Sequence, residues 1–387
     1  MFKKGNVDKM KVLFYQWNSF MNEGVKRGME ENDIEYDIFF YQLKNWEKDD
    51  IFVKKISHVI ENGGYKVVFS INYVPLISII CEKKEIRYVA WVYDSPIHIR
   101  DLSSLRNSCN DIYFFDRGQA DEYRSEGINA NHMPLAVDVG LWEKQIKNNY
   151  NKIENAEISF VGQLYSTWYS HFMAPLDEYL KGYCEGIVNA QGKVYGGYLI
   201  KSLITDKLLS DMNEIYAKKA SDGFQMGKRE LDFLLASETT HRERYMILSL
   251  LANHFQVSWY TGDKNQKITN AKIYSYVDYM TGMPVVFRKS KINLNISLKT
   301  IRTGIPLRAL DIMGCGGFLL SNYQEELAEF FLLDQECVVY DSIEDMYEKV
   351  QFYLKNDIIR KKIATSGLER IKRDFTFKER LRKMLIE

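Results

Sequence analysis

Short apolar runs recur along this chain at regular intervals, and they restrict its fold more than any other feature. From Lys11 onward "KVLFYQW", "YDIFFYQL", "YKVVFSIN", "RYVAWVYD" and "DIYFFD" are separated by stretches such as "NSFMNEGVKRGMEEN" and "DDIFVKKISHVIENGG". Near-continuous apolar strands have no wet face, so helices must cover both sides of their sheet. Parallel neighbours in turn need crossovers about as long as these intervening stretches. The pattern predicts a Rossmann-like, doubly wound α/β domain over residues 1–142.

At 387 residues the chain exceeds what one hydrophobic core organises, so a second domain is expected. The polar segment "EKQIKNNYNKIENAE", residues 143–157, reads as a linker, and the strand "ISFVGQLY" opens a second domain over 158–372. A helical insertion is expected over about 168–254, clearest in "LIKSLITDKLLSDMNEIYAKKA". Strand and helix then alternate again through "FQVSWYTG", "KINLNIS", "GFLLSN" and "ECVVYD". The last residues, 373–387, form an amphipathic helix. The fold class is thus α/β, with two doubly wound domains. Open parallel sheets bind ligands at the carboxyl ends of their strands, so two of them facing a central cleft would hold two substrates.

Composition excludes some functions. The 52 basic and 52 acidic side chains cancel, which argues against a general nucleic-acid binder or a protein held electrostatically at a membrane. The five cysteines lack zinc or disulfide spacing and suit a reducing cytoplasm. No window approaches a transmembrane span, so no integral membrane protein is expected. No paired D-x-D acids stand in a suitable loop, so no metal ligand is assigned.

The richest stretch is "KINLNISLKTIRTGIPLRALDIMGCGGFLLSN". A helix can begin at Pro306, and the backbone N–H groups of Gly304 and Ile305 at its positive end suit a diphosphate. Arg302 or Arg308 could add a guanidinium fork. Asp311, about one and a half turns further on, could bond a ribose hydroxyl pair, while Gly316 and Gly317 end the helix. Equally, Gly316 is only a helix stop and Asp311 a solvated helix residue. In "WVYDSPIHIR", Asp94, Ser95 and His98 follow a strand end. Asp94 or His98 there could act as general base on an acceptor hydroxyl, or the segment is a turn before Pro96. Asn72 and Tyr73 end another strand and, with Ser95, are candidates for the acceptor or sugar side, unless Asn72 only caps its loop. Gly162 and Gln163 end the first strand of the second domain, where they are donor-binding candidates or form a plain turn. Lys291 and Lys299 flank the strand "INLNIS", and Arg242 and Arg244 read as the start of a helix "THRERYMILSLL"; any of the four could neutralise phosphate or be solvated surface. Trp168, Tyr169 and Phe172 could stack on a sugar or base, or pack in a core.

The stretch "GIPLRALDIMGCGGFLLSNYQEELAEFF", continued by "YDSIEDMYEKVQFYLKNDIIRKKIATSGLERIKRDFTFKERLRKML", resembles the C-terminal half of GT-B glycosyltransferases of the CgeB-like, spore-maturation type. "FSINYVPLISIICEKKEIRYVAWVYDSP" resembles their N-terminal domain, and "ISFVGQLY" the strand opening the second. The resemblance implies transfer of a sugar from a nucleotide-diphosphate donor, a UDP-sugar first of all, to an acceptor hydroxyl on a protein, glycan or small molecule, without cofactor or metal. It favours Lys291 among the basic residues. Retaining enzymes of this class carry two donor-site glutamates separated by seven residues. The second falls on Asp311, as ribose ligand; the first falls on Thr303, which is not an acid, and the sugar contact is left without a residue. A catalytically inactive nucleotide-sugar-binding or scaffold protein is the competing expectation.

Overall fold

The computed structural model describes residues 10–97, 99–165, 167–219, 223–263 and 268–387. The chain divides into two compact units, Met1–Asp138 together with Ile371–Glu387, and Val139–Arg370.

The first unit is a six-stranded sheet built from β1 (Lys11–Gln16), β2 (Glu35–Phe40), β3 (Val67–Ile71), β4 (Arg87–Val92), β5 (Asn110–Phe114) and β6 (Ala130–His132). Their order is β2-β1-β3-β4-β5-β6 and every pairing is parallel. Every residue of β3 is buried, and so is all of β1 and β4 after the first residue, because helices cover both faces. The edge strand β2 is largely exposed. "EKDD" supplies a helix start: the Asp49 carboxylate accepts from the Phe52 N–H at 2.9 Å and caps the helix Asp50–Gly63. The C-terminal helix Phe377–Leu381 closes this unit. Val137 N–H donates to Phe375 O at 2.9 Å, and Asn32 Nδ2 donates to Lys378 O at 2.9 Å.

The second unit carries β7 (Ala156–Val161), β8 (Val257–Tyr260), β9 (Lys272–Tyr274), β10 (Ser290–Asn295), β11 (Leu319–Asn322) and β12 (Val338–Tyr340), in the order β12-β11-β10-β7-β8-β9, all parallel. Between β7 and β8 lies the helical insertion, which has its own core around Leu180, Cys184, Ile187, Leu208, Met212 and Leu235.

Three local expectations are corrected. Residues 143–157 are not a linker: Val139–Asn149 is a helix that buries Trp142 and Ile146, a 3-10 turn follows at Tyr150–Lys152, and β7 begins at Ala156. The two apolar side chains, one turn apart, anchor a segment whose overall polarity suggested otherwise. "LIKSLITDKLLSDMNEIYAKKA" is two helices, Ile200–Leu203 and Asp206–Lys219, separated where Ile204 turns extended. Arg242 and Arg244 do not begin a helix but lie deep inside Lys228–His254.

Candidate functional site

In the second sheet the chain leaves β7 toward β8 and β9 and then crosses back to β10, β11 and β12 on the other side. The order reverses between β7 and β10, and at such a switch point the following loops diverge and leave a crevice at the carboxyl ends. β7 is followed there by Gly162 and Gln163. After β10 the chain runs through Arg302, Thr303, Gly304 and Ile305 into the helix Leu307–Gly314. Of the candidate donor residues of the sequence, Gly162, Gln163, Arg302, Thr303, Gly304 and Ile305 thus fall on the two loops that flank this point, and Arg308 and Asp311 on the helix that follows.

Arg244 ties the two loops together. Its Nη1 donates to Gln163 O at 2.5 Å, and its Nε donates to Ile296 O at 3.1 Å, where Nη2 donates as well. The guanidinium lies 5.3 Å from the Phe160 ring and 4.7 Å from that of Tyr165. Burial lowers its proton affinity, yet an arginine stays charged in a protein. A fixed positive charge therefore stands behind the two strand ends. The sequence left Arg244 between a phosphate-neutralising and a solvated reading, because the partners that bury it lie 81 and 52 residues away.

The helix Leu307–Gly314 starts one residue later than expected, with Pro306 at the N-cap and no side chain capping it. Its other end is a Schellman motif: Gly317 N–H donates to Ile312 O at 2.9 Å and Gly316 N–H to Met313 O at 2.8 Å. Gly316 has φ +69°, and a Cβ on Gly317 would lie 2.7 Å from Phe287 O. Both glycines answer to backbone geometry and packing.

Asp311 is not solvated; it is 1% exposed. Its Oδ1 accepts from the Tyr279 hydroxyl at 3.2 Å, whereas the buried Oδ2 makes no well-formed hydrogen bond, and the Trp142 indole N–H, itself without one, is turned toward this carboxyl. The Trp142 and Tyr279 rings meet edge to face at 5.4 Å. Burial pushes the Asp311 carboxyl up to about 7, against the opposing pull of Arg308 and the Tyr279 hydroxyl. Near neutral pH it is a half-protonated acid. Arg308 touches Met283 Sδ and lies 5.7 Å from the Phe287 ring, and Arg302 lies 5.4 Å from the ring of Tyr198 in the insertion.

Thr303 donates its hydroxyl to Glu326 Oε1 at 2.8 Å and accepts the Glu326 N–H at its carbonyl at 3.1 Å. Glu326 is 0% exposed. An acid is thus present beside position 303, supplied by the helix Glu325–Phe330 from 23 residues further on. Its sequence context, a glutamate among glutamates in "YQEELAEFF", carried no signal.

Lys291 is a correction. It is the second residue of β10, at the amino end, and its Nζ lies 3.3 Å from Glu157, the second residue of β7. Ligands of a parallel sheet gather at the opposite edge. Lys299 is at the carboxyl edge but is buried against Glu243 at 3.0 Å. Among the described residues no group of three or more His, Cys, Asp or Glu side chains is placed to hold a metal ion.

In the first unit, the residues after β3, β4 and β5 make a polar network. Asn72, at φ +61°, donates from Nδ2 to Asp94 Oδ2 at 2.9 Å and accepts the Tyr93 N–H at Oδ1 at 2.7 Å. Asn72 therefore caps its loop and holds Asp94 at once. Ser95 donates to Asp116 Oδ2 at 3.1 Å, and Gln119 Nε2 donates to Ser95 Oγ at 3.2 Å. Asp116 and Gln119 were not singled out in the sequence; the spacing of β4 and β5 brings them in. Tyr73 is a second correction: its ring is buried, and its hydroxyl donates to Ser104 Oγ at 3.0 Å inside the core, where burial pushes it up to about 12. The chain turns at Asn72, and Tyr73 after it is carried into the core between β3 and the helix Pro75–Lys84. His98 lies outside the described residues.

Residues 233–386 match a family described as glycosyl transferase-like. No curated protein matches the chain. Among solved structures it is similar to sucrose-phosphate synthase from Thermosynechococcus elongatus, at 9% identity and TM-score 0.57 over 97% of each chain. It is also similar to HepE of Anabaena in complex with UDP-glucose, at 10% identity and TM-score 0.51 over 97% of this chain and 98% of that one. The fold is that of the GT-B glycosyltransferases, with two parallel six-stranded sheets and their surrounding helices. Among the described residues no helix is long and apolar enough to cross a membrane.

Proposed function

We propose that this protein is a glycosyltransferase of the CgeB-like type that moves a hexosyl group from a nucleoside-diphosphate sugar to an acceptor hydroxyl. The observation that carries this reading is the convergence of Arg244, the loop Arg302–Ile305 and an uncapped helix start on the β7/β10 switch point. A diphosphate leaving group gains charge as the glycosidic bond breaks. Backbone N–H groups of Gly304 and Ile305, with Arg302, meet that charge without reorganising and without a metal ion. Gly162 and Gln163 border the same place. Asp311 takes the ribose, once a ligand replaces Tyr279 at its carboxyl, and Glu326 with Thr303 takes the sugar contact. Asp94, oriented by Asn72, is the candidate general base, and Ser95 its neighbour on the acceptor side. The HepE structure with UDP-glucose makes a UDP-sugar the first donor to try.

The test is thermal denaturation with UDP-, GDP-, CDP- and dTDP-sugars, followed by donor hydrolysis on the native chain and on Asp311→Ala. One nucleotide is expected to raise the midpoint, because it binds only the folded state, and hydrolysis is expected to fall at least tenfold in the variant. No shift with any nucleotide would refute donor binding. Binding without turnover in any acceptor mixture would make the protein a nucleotide-sugar-binding scaffold.

A further inference from the structure

A cavity of about 330 Å³ opens in the second unit beside the loop that follows β7, lined chiefly by Tyr165, Trp168, Phe172, Phe224, Phe233 and Leu234. Its walls come from that loop, from the insertion and from the start of the helix Lys228–His254. Trp168 is 69% exposed and Phe233 39% exposed, although Tyr169 next to Trp168 is buried in the insertion core. Phe172 and Phe224 stack at 5.6 Å. The three aromatic residues of "STWYSHF" therefore divide: Tyr169 packs inward, whereas Trp168 and Phe172 line the cavity.

Of the polar groups on this wall, Thr167 is engaged and Glu230 sits at its rim, at the start of the helix. The Thr167 hydroxyl donates to Glu238, whose other oxygen accepts from Arg242 Nε at 2.8 Å. Glu230 folds its carboxylate back over Gly227 at the start of its helix. What the cavity offers is ring faces and edges together with Met226 and Leu234, a lining that suits a neutral aromatic group. A dry cavity of about 150 Å³ accepts a benzene, so this one has room for two or three fused rings.

Tyr165 joins the cavity to the switch point. It lines the cavity, and its ring lies 4.7 Å from the Arg244 guanidinium that holds the carbonyls of Gln163 and Ile296. We propose that the cavity binds a neutral aromatic group of the acceptor substrate, placed by the same loop that borders the donor. This inference rests on the transferase reading.

The test is a fluorescence titration of the full chain with N-phenyl-1-naphthylamine, with 2-naphthol and UDP-glucose as competitors. One saturable site is expected, displaced by 2-naphthol and not by UDP-glucose. Trp168→Ala, at an exposed position, should weaken the probe at least fivefold, and Ser237→Phe, which fills the cavity, at least tenfold. Equal affinity in both folded variants, or displacement by UDP-glucose, overturns the proposal. Calorimetry with UDP-glucose on the same samples separates the two readings. If the nucleotide fails to bind while the probe behaves as expected, the transferase reading and the acceptor assignment fall together and the ring site stands.

Discussion

Replacing Asp311 by Asn tests whether the opening helix of the candidate donor site really encloses an acid. The carboxyl is 1% exposed, one of its oxygens makes no well-formed hydrogen bond, and burial carries it from 3.8 to about 7. A rise of about three pH units, at about 1.4 kcal/mol each, corresponds to about 4 kcal/mol of cost for the ionised form in the fold. The folded chain keeps this proton up to near pH 7, whereas the unfolded chain releases it near 4. Between those values the unfolded state binds fewer protons, so the group makes stability fall as pH rises, and the loss is complete above about 7. Asparagine has the same shape, still accepts from the Tyr279 hydroxyl and cannot ionise. At pH 5, already about 1.2 units above the ordinary value of the unfolded carboxyl, urea denaturation should find the variant ahead by no more than about 2 kcal/mol. At pH 8.5 the variant should be the more stable by up to about 4 kcal/mol. A difference that stays constant between pH 5 and 8.5 would refute the reasoning, because it would mean that Asp311 ionises freely.

Two further outcomes follow from the same site. Glu326→Gln keeps the hydrogen bond from Thr303 but removes the charge, so nucleotide affinity should change less than about threefold while transfer slows about tenfold or more, roughly 1.4 kcal/mol of transition-state stabilisation; an unchanged rate, measured under single-turnover conditions, would leave Glu326 a purely structural acid. Gly317→Ala would bring a methyl to 2.7 Å from the backbone oxygen of Phe287. It should lower stability by about 1–3 kcal/mol in chemical denaturation, and no loss would mean that this strand start is looser than the packing indicates.

The central strands β1, β3 and β4 were legible because both of their faces are buried, so their composition alone identifies them. The three-residue strands β6 (ANH) and β9 (KIY) were not, since they lack the apolar run that marks the equally short edge strand β12 (VVY). Within the site, Gly316 was legible because its positive φ is a local requirement of the helix end. Lys291 misled because its motif said nothing of which end of the strand faces a ligand. Arg244 stayed between two readings because a charged residue in a helix is usually solvated, and only the carbonyls of Gln163 and Ile296 hold it inside.

Local periodicity and turn chemistry specified two doubly wound domains, the helix that begins after Pro306 and its stop at Gly316, because those depend on neighbours within a few residues. The state of Asp311, the acid beside Thr303 and the aromatic cavity were decided by tertiary structure. Each depends on groups brought together across tens of residues, such as Tyr279 with Asp311, Glu326 with Thr303 and Trp168 with Phe224. Burial and distance set their chemistry, and neither is a property of a residue in its own stretch of chain.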